Sequence, residues 1–150
     1  MKKPIFIGAI GCGKTTLFQR LRGQALVYDK TQVVEFYQNN QMIDTPGEFM
    51  EHRNLYSALT ITAVDADVVV FLQSVSDRRQ TFSPGFGSMF PKDKIGIVTK
   101  TDLARDQADI DWAANQLQMA GAKKIFYVSA KDNRGITELN NYLGITPDKA

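Results

Sequence analysis

Gly8-Ala9-Ile10-Gly11-Cys12-Gly13-Lys14-Thr15 is the stretch that decides the fold. A predicted strand, Ile5 to Ile10, runs into it. A predicted helix, Thr15 to Arg22, leaves from it with Leu17, Phe18 and Leu21 on one face. The spacing is G-x-x-x-x-G-K-[ST], and a strand before with a helix after is the context that pattern requires. Its glycines let the backbone curl until successive N–H groups point inward, and the helix N-terminus adds partial positive charge. Such a turn is a phosphate cradle. Lys14 is expected to reach the β- and γ-phosphates, and the Thr15 hydroxyl to hold Mg²⁺. Gly8, Ile10, Gly11, Cys12, Gly13, Lys14, Thr15 and Thr16 form the expected contact set on this side of a nucleotide.

Outward from that turn, the chain of 150 residues fits one domain spanning 1–150. Apolar runs alternate with helix-period segments, which predicts an α/β architecture: a mostly parallel sheet of about six strands with helices on both faces. Further strands are expected at Gln32 to Tyr37, Gln41 to Ile43, Val68 to Leu72, Ile95 to Val98 and Lys124 to Val128. Further helices are expected at Asp106 to Ala120, stopped by Gly121, and at Ile136 to Leu143. Gly23 to Thr31 and Ser74 to Lys94 read as irregular connections, the second with room for a short helix at most.

Composition excludes several classes of function. No apolar run approaches the roughly 18 residues of a membrane span. A net charge of +2 is too small to argue for nucleic acid or an anionic membrane. The one cysteine, Cys12, rules out an intrachain disulfide, and the early first strand leaves no space for a secretory signal, so a cytoplasmic location is expected. Cys12 is read as an inert small residue in the turn. His52 reads as a surface histidine, and Trp112 as cover for a helix face.

A phosphate turn does not choose the base. Asp44-Thr45-Pro46-Gly47 follows a short strand, and Asp44 is expected to bind Mg²⁺ through water while the Gly47 N–H meets the γ-phosphate. Thr99-Lys100-Thr101-Asp102 and Ser129-Ala130-Lys131 each follow a strand, where open α/β sheets put their ligands. Both resemble the base-recognition loops of the Ras-like P-loop GTPases. That resemblance implies that the Asp102 carboxylate accepts guanine N1–H and the 2-amino group, and that the Lys100 stem covers the ring. Adenine has no such donor pair and would leave the carboxylate unpaired, so discrimination of a hundredfold or more is expected at about 1.5–3 kcal/mol per bond. Thr99 stands where asparagine is commoner. Its shorter side chain is expected to lose an amide that braces the phosphate turn.

Thr31, just before the second strand, is the candidate first-switch threonine, a ligand to Mg²⁺ and to the γ-phosphate together with Thr15 and Asp44. Across Gly13 to Phe18, Lys30 to Phe36 and Ile43 to Phe49 the chain resembles the small P-loop proteins of ethanolamine- and propanediol-utilisation operons. The resemblance implies association with bacterial microcompartments and a protein partner, such as a shell protein.

Glu48 stands where many Ras-like proteins carry the glutamine that orients the attacking water. A carboxylate there repels the γ-phosphate and lacks an amide donor; acting as a general base, or facing solvent until a partner binds, are the alternatives. Ile10 is bulky beside the same phosphate. With Lys14, Thr31, Gly47 and Glu48 as the catalytic set, slow Mg²⁺-dependent GTP hydrolysis and a GTP/GDP switch are expected. Two other readings stay open. One is a metabolic phosphotransferase of the acetate kinase type, against which no basic cluster other than Arg78 and Arg79 offers to hold a carboxylate. The other is a structural component that binds nucleotide without turnover. The oligomeric state is left open.

Overall fold

The computed structural model describes residues 3–9, 11–13, 16–17, 35–37, 42–45, 55–77, 82–129, 132 and 134–143. Their strands are β1 (Pro4–Ile7), β2 (Glu35–Tyr37), β3 (Met42–Asp44), β4 (Val68–Ser74), β5 (Asp93–Thr99) and β6 (Ile125–Tyr127). They form one sheet in the order β2-β3-β1-β4-β5-β6. Every pairing is parallel except β2 with β3, where Glu35 faces Asp44 across an antiparallel ladder. The helices are α1 (Tyr56–Thr62), α2 (Gln107–Ala120) and α3 (Ile136–Leu143), and Thr16 and Leu17 are also helical.

Alternation along β4 explains the layers. Val69 and Phe71 pack on one face with Leu59 of α1 and Ala113 and Leu117 of α2. Val68, Val70 and Leu72 pack on the other with Leu17 and with Ile136, Leu139 and Leu143 of α3. All seven residues of β4 are buried, as a parallel strand covered on both sides requires. The α/β expectation therefore holds, with helices on both faces. No helix among the described residues is long and apolar enough to cross a membrane.

Several boundaries differ from those read in the sequence. β1 ends at Ile7 rather than Ile10, because the chain leaves the sheet as the glycine turn begins. β4 runs on through Gln73 and Ser74, which pair with Val98 and Thr99. Helix α1 was not anticipated. α2 begins one residue after its expected start, with Asp106 as the N-cap, and ends at Gly121 with φ 115°. The described part of the long connection after β4 is a core element: Phe82, Phe86 and Phe90 are buried against Phe71, and a short 3₁₀ turn covers Phe86–Met89. Burying each such ring contributes about 1.5–3 kcal/mol. The expected helix beyond Leu17 and the switch segment around Thr31 lie outside the described residues.

Candidate functional site

The site lies at the carboxyl ends of β1, β3, β5 and β6. After β1, Gly11 and Gly13 adopt φ of 81° and 93°, values that side chains rarely tolerate, and the turn closes with the Cys12 N–H donating to Ala9 O at 3.2 Å. The Leu17 N–H reaches Gly13 O at 2.9 Å and starts the helix. Among the described residues, the N–H groups of Gly11 and Gly13 donate to nothing within the protein. Unpaired amides in a glycine turn that opens a helix fit a phosphate group. Cys12 is only 4% exposed and packs with Phe6, Leu17 and Leu72, so its side chain belongs to the core as well as to the turn.

Two residues at the end of β5, Thr99 and Lys100, clamp this turn. The Thr99 hydroxyl, itself buried, donates to Cys12 O at 2.5 Å. Lys100 turns the chain with φ 58°, a left-handed conformation that costs a lysine about 1–2 kcal/mol. Its ammonium donates to Gly11 O at 2.6 Å, and its stem passes over Gly13, where an added Cβ would sit 3.5 Å from Lys100 Cε. The expectation that Thr99 loses the brace on the phosphate turn is thus corrected. Its hydroxyl is long enough to hold the Cys12 carbonyl because β5 approaches the turn closely.

Asp102 is exposed, with its Oδ1 accepting from the Ser129 hydroxyl at 2.9 Å. Ser129 is fully buried and also accepts from the Asp132 N–H at 3.4 Å. Among the described residues, Asp102 Oδ2 accepts no hydrogen bond, which leaves one carboxylate oxygen open beside the clamp. Thr101 was overlooked in the sequence, where it reads as a free position between Lys100 and Asp102. Its hydroxyl donates to Val128 O at 3.1 Å and its N–H to the same oxygen at 3.3 Å, tying the loop to the end of β6. A small hydroxyl residue there was the one available signal. Beyond Asp102, the Arg105 backbone N–H and guanidinium both donate to the buried Asp109 carboxylate, which raises the Arg105 pKa further above its ordinary value.

On the other side of β1, Asp44 ends β3 opposite Phe6. Thr45 is buried, and its hydroxyl donates to Phe6 O at 2.7 Å, so the segment leaves the sheet from a fixed point. Ile10, Lys14, Thr15, Thr31, Gly47, Glu48, Ala130 and Lys131 lie outside the described residues, as do Arg78, Arg79 and His52. Thr16 is helical and half-buried beside the turn, and Trp112 is half-buried against the α1–α2 face of the core.

A family model for ethanolamine-utilisation and propanediol-utilisation proteins matches residues 1–145. The chain is 43% identical over 143 residues to propanediol utilization protein PduV of Citrobacter freundii, covering 95% of this chain and 93% of that protein. It is 34% identical over 147 residues to the probable acetate kinase EutP of Salmonella typhimurium, covering 95% and 89%. A more distant likeness, 29% over 159 residues, joins it to the GTPase Era of Erythrobacter litoralis, covering 91% of this chain and 52% of that protein. The glycine turn between β1 and a helix, the parallel sheet and the likeness to Era together make the fold a P-loop α/β fold. With nearly the whole chain matched, the protein belongs to the PduV-EutP family of ethanolamine- and propanediol-utilisation proteins.

Proposed function

We propose that this protein binds GTP and GDP with Mg²⁺, hydrolyses GTP slowly, and serves ethanolamine or propanediol utilisation at bacterial microcompartments, where a shell protein is its partner. One observation carries the reading: Thr99 and Lys100 hold the carbonyls of Cys12 and Gly11, while Asp102, two residues on, keeps one carboxylate oxygen open. The base-reading segment and the phosphate turn are thereby one rigid unit. The 29% identity to a GTPase supports the same choice of nucleotide. In this reading Asp102 accepts from guanine, Lys14 neutralises the phosphates, and Thr15, Thr31 and Asp44 hold Mg²⁺. The metal would supply charge neutralisation at the phosphates. Gly47 senses the γ-phosphate. Ile10 and Glu48 keep turnover slow by crowding and by like charge.

A second reading has its own support, since a relative at 34% identity is named a probable acetate kinase. The same turn would then hand a γ-phosphoryl group to acetate. Incubating the purified protein with γ-labelled GTP or ATP, with and without acetate, separates the two. The GTPase reading expects inorganic phosphate from GTP at a rate indifferent to acetate. Acetyl phosphate formed in proportion to acetate overturns it in favour of transfer, and tight binding without either product leaves a structural nucleotide-binding component.

A further inference from the structure

The outer edge of the sheet carries a second feature that the nucleotide reading does not use. Among the described residues β6 is an edge strand, paired only with β5, and between it and α3 lies a groove of about 710 Å³. Lys124, Phe126 and Tyr127 come from the strand side, and Arg134, Glu138 and Tyr142 from the helix side. Phe126 and Tyr142 meet at 5.1 Å between ring centroids, and the Lys124 ammonium lies 5.1 Å from each ring. Tyr127 is 46% exposed. Neither Lys124 nor Arg134 forms an ion pair among the described residues, whereas Lys123 next door is already bound to Asp93 at 2.9 Å.

Two cations that form no ion pair among the described residues flank partly exposed aromatic surface on a strand edge whose outward backbone groups can pair with an added strand. That charge pattern selects a carboxylate-bearing chain with apolar side chains between its acids. The Glu138 carboxylate within the same groove argues against a continuous phosphate backbone, which would meet it at close range.

The groove is also joined to the base-reading loop. Arg134 and Ser129 exchange backbone hydrogen bonds in both directions at 3.0 Å, and Ser129 holds Asp102. A segment that draws on the Arg134 side chain therefore pulls on the loop that orients Asp102.

We propose that the groove between β6 and α3 docks an extended acidic segment of a partner protein, and that docking changes the rate of nucleotide release through the Ser129–Arg134 bridge. The second half rests on the nucleotide reading above, and the first does not. The test selects phage-displayed linear peptides on the full chain, then measures the enriched peptides by fluorescence anisotropy against wild type and against Lys124→Glu with Arg134→Glu. Expected are Asp- and Glu-rich sequences with interspersed apolar residues, binding at least tenfold more weakly to the charge-reversed protein while its melting temperature stays unchanged. Enriched peptides without acids, binding that ignores the two substitutions, or a groove filled instead by a single-stranded RNA oligonucleotide or by a second copy of the chain overturns the docking proposal. The enriched peptide is then added to protein loaded with a fluorescent GDP. An altered release rate in wild type, absent from the charge-reversed protein, is expected. An unaltered rate with intact peptide binding overturns the coupling. Failure to load any guanine nucleotide overturns the nucleotide reading while leaving the peptide result standing.

Discussion

The Thr99 hydroxyl donates to the carbonyl oxygen of Cys12 at 2.5 Å, joining the end of β5 to the glycine turn after β1 through a buried bond between residues 87 positions apart. Replacing Thr99 by valine keeps the shape and removes the donor. Removing one hydrogen bond to a buried carbonyl costs about 0.5–1.5 kcal/mol. If the clamp preorganises the site, Thr99→Val should weaken GDP binding about 2- to 10-fold, while Thr99→Ser stays near wild type. Calorimetric titration with GDP checks this, and equal affinities in all three proteins would remove Thr99 from the site.

Asp102 and Ser129 make a second prediction. With Oδ1 taken by the Ser129 hydroxyl, the carboxylate is oriented before any base arrives. Asp102→Asn replaces an acceptor by an amide donor, which suits the 2-carbonyl of xanthine and opposes the 2-amino group of guanine. Preference should reverse from GDP to XDP in competition binding. Ser129→Ala should weaken GDP about 2- to 10-fold without reversing the preference, since one orienting hydrogen bond of about 0.5–1.5 kcal/mol is lost while the carboxylate itself remains. Unchanged guanine preference in Asp102→Asn would mean that this carboxylate does not face the base.

How much of this was legible in the residues divides along physical lines. The glycine turn after β1, α2 with its Gly121 stop, and α3 were readable because glycine geometry and 3.6-residue periodicity are local. Helix α1 was hidden because Tyr56 and Leu59 face the core while other large apolar residues lie off that face. Leu59 is buried, whereas Ile61 is 73% exposed and Val64, in the 3₁₀ turn that follows, is 69% exposed. The Phe82, Phe86 and Phe90 cluster was masked by Pro84, Gly85 and Gly87, which read as loop, although the four-residue spacing of the rings was present. The Thr99 clamp could not be foreseen either. Its reach depends on the distance between β5 and the turn after β1, which are separated in the sheet by β4, and no local pattern encodes that distance.

Two glycines with the same backbone angle isolate steric contact from backbone strain. Gly85 and Gly135 both have φ 77°. A Cβ at Gly85 meets nothing within 4 Å, but at Gly135 it would lie 2.2 Å from Tyr127 O. Gly85→Ala should therefore cost only the left-handed penalty of about 1–2 kcal/mol. Gly135→Ala should cost about 1–3 kcal/mol more, because α3 must move off the end of β6. Thermal unfolding should show Gly135→Ala melting lower by a further ~2–10 °C. Equal losses would show that the start of α3 yields to the added methyl.

The phosphate turn offers a coupled test of how Gly8 and Cys12 share space. Gly8 has an ordinary backbone angle, so alanine is forbidden there by contact alone: its Cβ would lie 2.5 Å from Cys12 Sγ and 3.3 Å from Leu72 Cβ. Overpacking of this kind costs about 1–3 kcal/mol. Cys12→Ala removes the sulfur from a buried site and should cost roughly 1 kcal/mol or less, the usual range for a small change of volume. In the double variant the new methyl occupies space the sulfur has left, so its loss of stability should be smaller than the sum of the two separate losses by about 1 kcal/mol or more. Urea unfolding of the four proteins measures that coupling. Additive losses would mean that Leu72 and the strand, rather than Cys12, exclude a side chain at Gly8. A coupled result would make Cys12 the residue that fits the turn to the core.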